Sequence, residues 1–132
     1  MSGYASASDE AIFCVDKLMT YMGNDDKAID NVVKIVRDGI GAGVEPLNLA
    51  GEAIRDEHFM EARRILHTLR ATVGALGAKR FVAASLALEL ALQEGRMMEV
   101  PYLFTALEGE LRLVLDHAGD WLDRHAGRAT AR

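Results

Sequence analysis

The sequence predicts an all-α fold, an up-and-down antiparallel four-helix bundle with an additional short N-terminal capping helix, and three observations carry that prediction. Apolar residues recur at steps of three and four along most of the chain, the spacing that lines one face of a helix. No stretch of any length alternates as a half-buried strand does. With 2 prolines among 132 residues, 50% hydrophobic and 27% charged, the chain has the composition of a folded, helix-rich domain with one core.

Residues 1–8 are small and polar, and they are expected to be unordered. From Asp9 onward, Ile12, Val15, Leu18, Met19 and Met22 keep helical spacing. Ser8 as N-cap, Asp9 and Glu10 in the first turn and Gly23 as the stop predict the capping helix over 9–22. Next, Ile29, Val33, Val36, Ile40, Gly43, Leu47, Ala50 and Ile54 hold alternating steps of four and three through a segment punctuated by Gly39, Gly41, Gly43 and Pro46. A loop would lose that phase. One long helix is therefore predicted over 25–56, kinked ahead of Pro46, where the ring removes the regular hydrogen bond. The glycines do not form a nucleotide loop, because no strand precedes them and no Lys-Ser/Thr follows; close helix contact is their expected use.

The polar turn Arg55-Asp56-Glu57-His58 leads into a helix over 58–76 that places Ala62, Ile65, Leu66, Leu69, Thr72, Val73 and Leu76 on one side, with Gly77 as its stop. The helix over 79–94, ended by Gly95, carries Phe81, Val82, Ala84, Leu86, Leu88, Leu90 and Leu92 nearly all round and is expected to be largely buried. The last helix spans 99–125, beginning near Glu99 to Pro101. Its inward face is Leu103, Leu107, Leu111, Val114, Ala118, Trp121 and Leu122, opposite an acidic, solvated run. The bundle domain is thus expected over 9–126, with an unordered tail over 127–132.

Several function classes are excluded by composition. A net charge of −5 argues against generic nucleic-acid binding, and one tryptophan and three tyrosines make no base-stacking platform. The single Cys14 forms no internal disulfide and fits a reducing compartment. No apolar run approaches the ~20 residues of a membrane span, and the N-terminus lacks a signal pattern, so no membrane insertion and a cytoplasmic location are expected. A di-iron carboxylate bundle needs Glu-x-x-His pairs, but the residues three before His58, His67, His117 and His125 are Arg55, Arg64, Val114 and Leu122. There is no zinc helix and no cysteine pair, and no metal site is expected.

One histidine stands apart. In the helix over 58–76, His67 falls opposite the apolar side, and its neighbours at three, four and seven residues are Arg63, Arg64, Arg70, Ala71 and Gly74. A neutral imidazole beside fixed positive charge and small side chains is suited to hold an anionic group and pass it on, phosphate being the natural candidate. Arg70 can offer a planar fork of donors to phosphoryl oxygens. The plain alternative is a surface histidine on a basic helix. In the next helix, Glu89 is a carboxylate in apolar surroundings, either partnered or on the one solvated stripe.

The stretch His67-Thr68-Leu69-Arg70-Ala71-Thr72-Val73-Gly74-Ala75-Leu76-Gly77-Ala78 resembles the signature of histidine-containing phosphotransfer (HPt) domains of two-component phosphorelays, roughly His-x-Leu-Lys-Gly-x-x-Gly-x-Leu-Gly-Ala. His67 matches the phosphoacceptor, and Arg70 replaces the usual lysine with its charge kept. Gly74, Leu76, Gly77 and Ala78 match in register. Ala71 departs, standing where the family prefers a glycine that lets a partner approach closely. The resemblance implies that His67 accepts a phosphoryl group from a receiver-domain phospho-aspartate and passes it to another receiver aspartate. It further implies that Arg70 stabilises the transferring oxygens and that Glu89 orients the ring by accepting a hydrogen bond from it. The expected docking residues are Met60, Arg63, Arg64, Ala71, Gly74 and Lys79.

The implied partners are receiver domains of response regulators or of a hybrid sensor histidine kinase, met by a monomer. No kinase activity and no cofactor of its own are expected, with Mg²⁺ held on the receiver. The chain is expected to be cytoplasmic, alone or as the cytoplasmic portion of a larger membrane-bound sensor kinase. The competing reading is a bundle that binds a receiver or another signalling partner without carrying phosphate, and Arg70 and Ala71 are the features that favour it.

Overall fold

Apolar periodicity becomes helix throughout the computed structural model, which describes residues 7–130 and the side chains of residues 9–125. The elements are α1 (Ala7–Ile12), α2 (Asp16–Met22), α3 (Asp26–Gly41), α4 (Val44–Arg55), α5 (Phe59–Gly74), α6 (Lys79–Glu94) and α7 (Val100–Thr130), with no strand among the described residues. The chain is a helical bundle in which α4 lies on α5, α5 on α6, α6 on α7, and α3 returns to α7. Val32, Val36, Leu66, Leu69, Val73, Phe81, Leu88, Leu107 and Val114 meet in the middle, each almost wholly withdrawn from water. Burial on that scale contributes about 1.5–3 kcal/mol for each large side chain.

The expected capping helix over 9–22 is two short helices. Phe13, Cys14 and Val15 between them are non-helical, and Phe13 and Val15 are buried. A tertiary bond explains the break: Cys14 N–H donates to Leu76 O at 2.9 Å, tying this link to the turn after α5. Gly77 in that turn has φ +72°, and a Cβ there would stand 2.1 Å from the Cys14 carbonyl oxygen. Only glycine meets both demands. Ser8 is not an N-cap, since the helix already includes Ala7. Cys14 is half-buried and free.

The long helix expected over 25–56 is likewise divided, into α3 and α4, at Ala42 and Gly43. Pro46 lies in the first turn of α4, where its missing N–H has no intrahelical acceptor to serve. Its ring would crowd the Ala42 carbonyl in a continuous helix, so the chain opens there. The apolar phase survives the break: Val33, Val36, Gly43, Leu47 and Ala50 are all buried. Close contact is the use made of two glycines, since a Cβ at Gly39 would lie 2.9 Å from Leu76 and one at Gly43 3.1 Å from Leu111.

α6 is less buried than expected. Phe81, Ser85, Leu88, Ala91 and Leu92 form its inward face, while Leu86 and Leu90 are 46% and 44% exposed. α7 begins where expected and runs to Thr130, beyond the expected end at 125. Residues 1–6, 131 and 132 of the expected unordered ends lie outside the described residues. At the α6–α7 turn, Arg96 bonds Glu99 and Glu94, which together raise its pKa above the ordinary arginine value.

Candidate functional site

The buried side of α5 fixes what its other side presents. Leu66 and Leu69 are 0% and 1% exposed, and His67 between them points away from the core and is exposed. One turn on, Arg70 Nη2 lies 3.0 Å from His67 Nδ1. The same guanidinium reaches across the helix seam with Nη1 to Glu89 Oε1 on α6. The Arg70 and Glu89 side chains are only 15% and 19% exposed, so the pair is partly shielded from solvent. Arginine has donors and no acceptor. Nδ1 is therefore the acceptor of the Arg70 bond, and a neutral ring held this way carries its proton on Nε2.

Three contacts keep α5 and α6 in antiparallel register around this group. Gly74 faces Val82, where an added Cβ would come within 3.1 Å of a valine methyl. Ser85 Oγ donates to Leu66 O at 3.5 Å in the interior, and Arg63 Nη2 donates to Gln93 Oε1 at 3.4 Å. The site thus stands on two regular helices, which hold side-chain origins more firmly than loops would.

The expected bond from the His67 ring to Glu89 is not made in this structure. Glu89 is bound to Arg70, which stands between the carboxylate and the imidazole. The physical reason is charge: a carboxylate in partly apolar surroundings is better satisfied by a permanent cation with a forked donor than by a neutral ring. Arg70, expected to face incoming oxygens, is at rest engaged with both.

The expected docking residues separate into groups. Met60 is 74% exposed, Ala71 is exposed, and Arg64 is exposed beside Glu61 at 3.6 Å; all three share the open side of α5 with His67. Arg63 is half-buried and engaged with Gln93. Gly74 is half-buried in the α5–α6 seam, so its smallness serves helix contact. Lys79 is exposed at the start of α6, where it borders a groove with Leu18, Tyr21, Gly74 and Gly77. The sequence reading missed Leu86 and Leu90. They share a stripe with Glu89 and Gln93 at steps of three and four, and that register with Glu89 is the signal that could have placed them beside His67.

Among the described residues no three His, Cys, Asp or Glu side chains gather as metal ligands would, and no helix is long and apolar enough to cross a membrane. What the arrangement offers is a nucleophile-bearing ring on an open surface, a guanidinium against it, and exposed apolar side chains on α5 and α6. Comparison with protein families matches residues 40–121 to the family described as Hpt domain, a span that contains His67, Arg70 and Glu89. No curated protein and no solved structure gives a significant match.

Proposed function

The chain belongs to the Hpt domain family, and on that premise we propose that it relays phosphoryl groups between receiver domains, with His67 as the residue that carries them. Membership assigns it to phosphotransfer in two-component signalling. The observation that supports the finer reading is the exposed His67 ring held 3.0 Å from Arg70, with exposed Met60, Arg64 and Ala71 on the same side of α5. A receiver phospho-aspartate presents its phosphorus to a ring nitrogen. The N–P bond forms as the P–O bond to the aspartyl carboxyl breaks, and the electron pair leaves with the carboxylate. Such transfer needs alignment and charge stabilisation rather than a strong base. Arg70 supplies the second by offering its fork to the equatorial oxygens, and Glu89 holds Arg70 in place until then. Return to a second receiver aspartate is the same step reversed.

Docking in this reading uses Met60, Ala71, Leu86 and Leu90 as the apolar contact, with Arg64 and Lys79 toward an acidic receiver rim. The magnesium ion that assists the transfer is assigned to the receiver. The chain acts as a monomer that binds the two receivers in turn. The test is substitution of His67 by Gln: the variant folds as the parent does, and it takes no label from a phosphorylated receiver. Labelling of His67→Gln at the parent level removes His67 from the mechanism.

A further inference from the structure

A neutral imidazole attacks phosphorus through a ring nitrogen that carries no proton. Here Nδ1 is 3.0 Å from Arg70 Nη2, and because a guanidinium only donates, the Nδ1 lone pair is committed to that bond while Nε2 bears the proton. Neither nitrogen of the ring offers a free lone pair to an approaching phosphorus. Glu89, the carboxylate that would take an Nδ1–H in the relay reading, is bound by the same guanidinium, which stands between it and the ring. One side chain therefore blocks both parts of the reactive arrangement.

Resting on the phosphorelay reading above, we infer that Arg70 sets the tautomer of His67, as a positioning residue that holds the ring in its unreactive Nε2–H form until an anion arrives. A phosphoryl group carries more negative charge than a carboxylate and matches the guanidinium fork. It draws Arg70 from the ring and from Glu89. The separation is feasible because the pair is only partly shielded, its side chains being 15% and 19% exposed. The ring then loses its Nε2 proton to water and gains one from water at Nδ1, which donates to the freed Glu89. The Nε2 lone pair now faces the phosphorus. As the N–P bond forms and the P–O bond breaks, the ring becomes an imidazolium whose remaining proton stays on Nδ1 against the Glu89 carboxylate. Arg70 thus couples nucleophile activation to the presence of the group to be transferred, and water or a weak electrophile meets a ring with no available lone pair.

The test is nitrogen-15 NMR of the His67 ring in its neutral form, without any partner. The parent chain shows protonated Nε2 and unprotonated Nδ1 as the major tautomer. Arg70→Ala reverses the ratio, so that the Nδ1–H form exceeds one half, and the double variant Arg70→Ala/Glu89→Ala loses that reversal. A parent chain already in the Nδ1–H form overturns the inference without any variant having to fold; an unchanged tautomer in a folded Arg70→Ala also overturns it. Labelling of His67 by a receiver is measured separately. A chain with the expected tautomers that takes no label contradicts the relay, whereas a labelled chain with the wrong tautomers contradicts only the role given to Arg70.

Discussion

Arg70 on α5 and Glu89 on α6 form an ion pair across the helix seam, and the arginine end of that pair touches the His67 ring. Two helices and one histidine therefore share a single guanidinium. Removing one partner of a partly shielded pair leaves the other poorly satisfied, which costs about 1–3 kcal/mol. Glu89→Gln is expected to destabilise the chain by about that amount in urea denaturation. A double-mutant cycle with Arg70→Gln is expected to give a coupling of about 1 kcal/mol. Additive single effects would mean that the pair does not persist in solution.

Gly77 is expected to be the glycine least tolerant of change. Alanine there meets both a left-handed backbone, φ +72°, and the Cys14 carbonyl oxygen at 2.1 Å. The first costs about 1–2 kcal/mol and the second, an overpacked contact with backbone that must move, about 1–3 kcal/mol. Gly77→Ala should lower stability by about 3 kcal/mol, seen as a loss of roughly 10 °C in Tm. Gly41→Ala, with open space around the position, serves as the tolerant control.

Ala71 is exposed on the open side of α5, one turn beyond His67. Replacing it with glycine costs about 0.5–1 kcal/mol of helix stability. In the relay reading the same change removes a methyl from the approach of the receiver, and transfer to His67 is expected to rise by about threefold or more as alignment improves. Urea denaturation for stability and rapid-quench kinetics for transfer together check the opposed signs. A transfer rate that falls together with stability would show that the methyl does not limit approach.

Leu90 is 44% exposed beside Glu89, with Leu86 one turn earlier. Among the described residues nothing covers this part of either side chain. Leu90→Ser is expected to lower stability by about 1 kcal/mol, through the part of the side chain already packed and the poorer helix propensity of serine. It is expected to weaken receiver binding about tenfold, the loss of about 1.4 kcal/mol of apolar contact. Titration calorimetry against a receiver compares the two, and unaltered affinity would place the docking face elsewhere.

Much of this was legible in the sequence, for reasons that single residues make plain. His67 could be set outward because Leu66 and Leu69 at its sides follow helical period, and local period survives folding. Gly77 could be set at a turn by its residue type, but the Cys14 carbonyl that makes glycine obligatory comes from a distant segment. The same contact broke the helix expected over 9–22, since a long-range bond to Leu76 O overrode local spacing. Pro46 marked the disturbance in the helix expected over 25–56 while leaving its size open, and the chain resolved it as a two-residue interruption. α6 misled because leucine signals burial whether the covering surface belongs to the chain or to another molecule. The partner of Glu89 was out of reach for a different reason. Spacing brings Arg70, His67 and Glu89 near one another, but the choice of a cation over a neutral ring depends on side-chain geometry that periodicity does not encode.

The central claim is that His67 carries a phosphoryl group received from a receiver aspartate, and the most direct measurement is to trap that group. A receiver charged from acetyl phosphate in the presence of Mg²⁺ is mixed with the chain, and the products are separated and treated with acid or base. The account predicts a phosphorylated chain whose label is lost in acid, survives base and maps to His67. A receiver that binds the chain and keeps its phosphate, leaving the chain unlabelled, would contradict it and leave a bundle that docks without relaying.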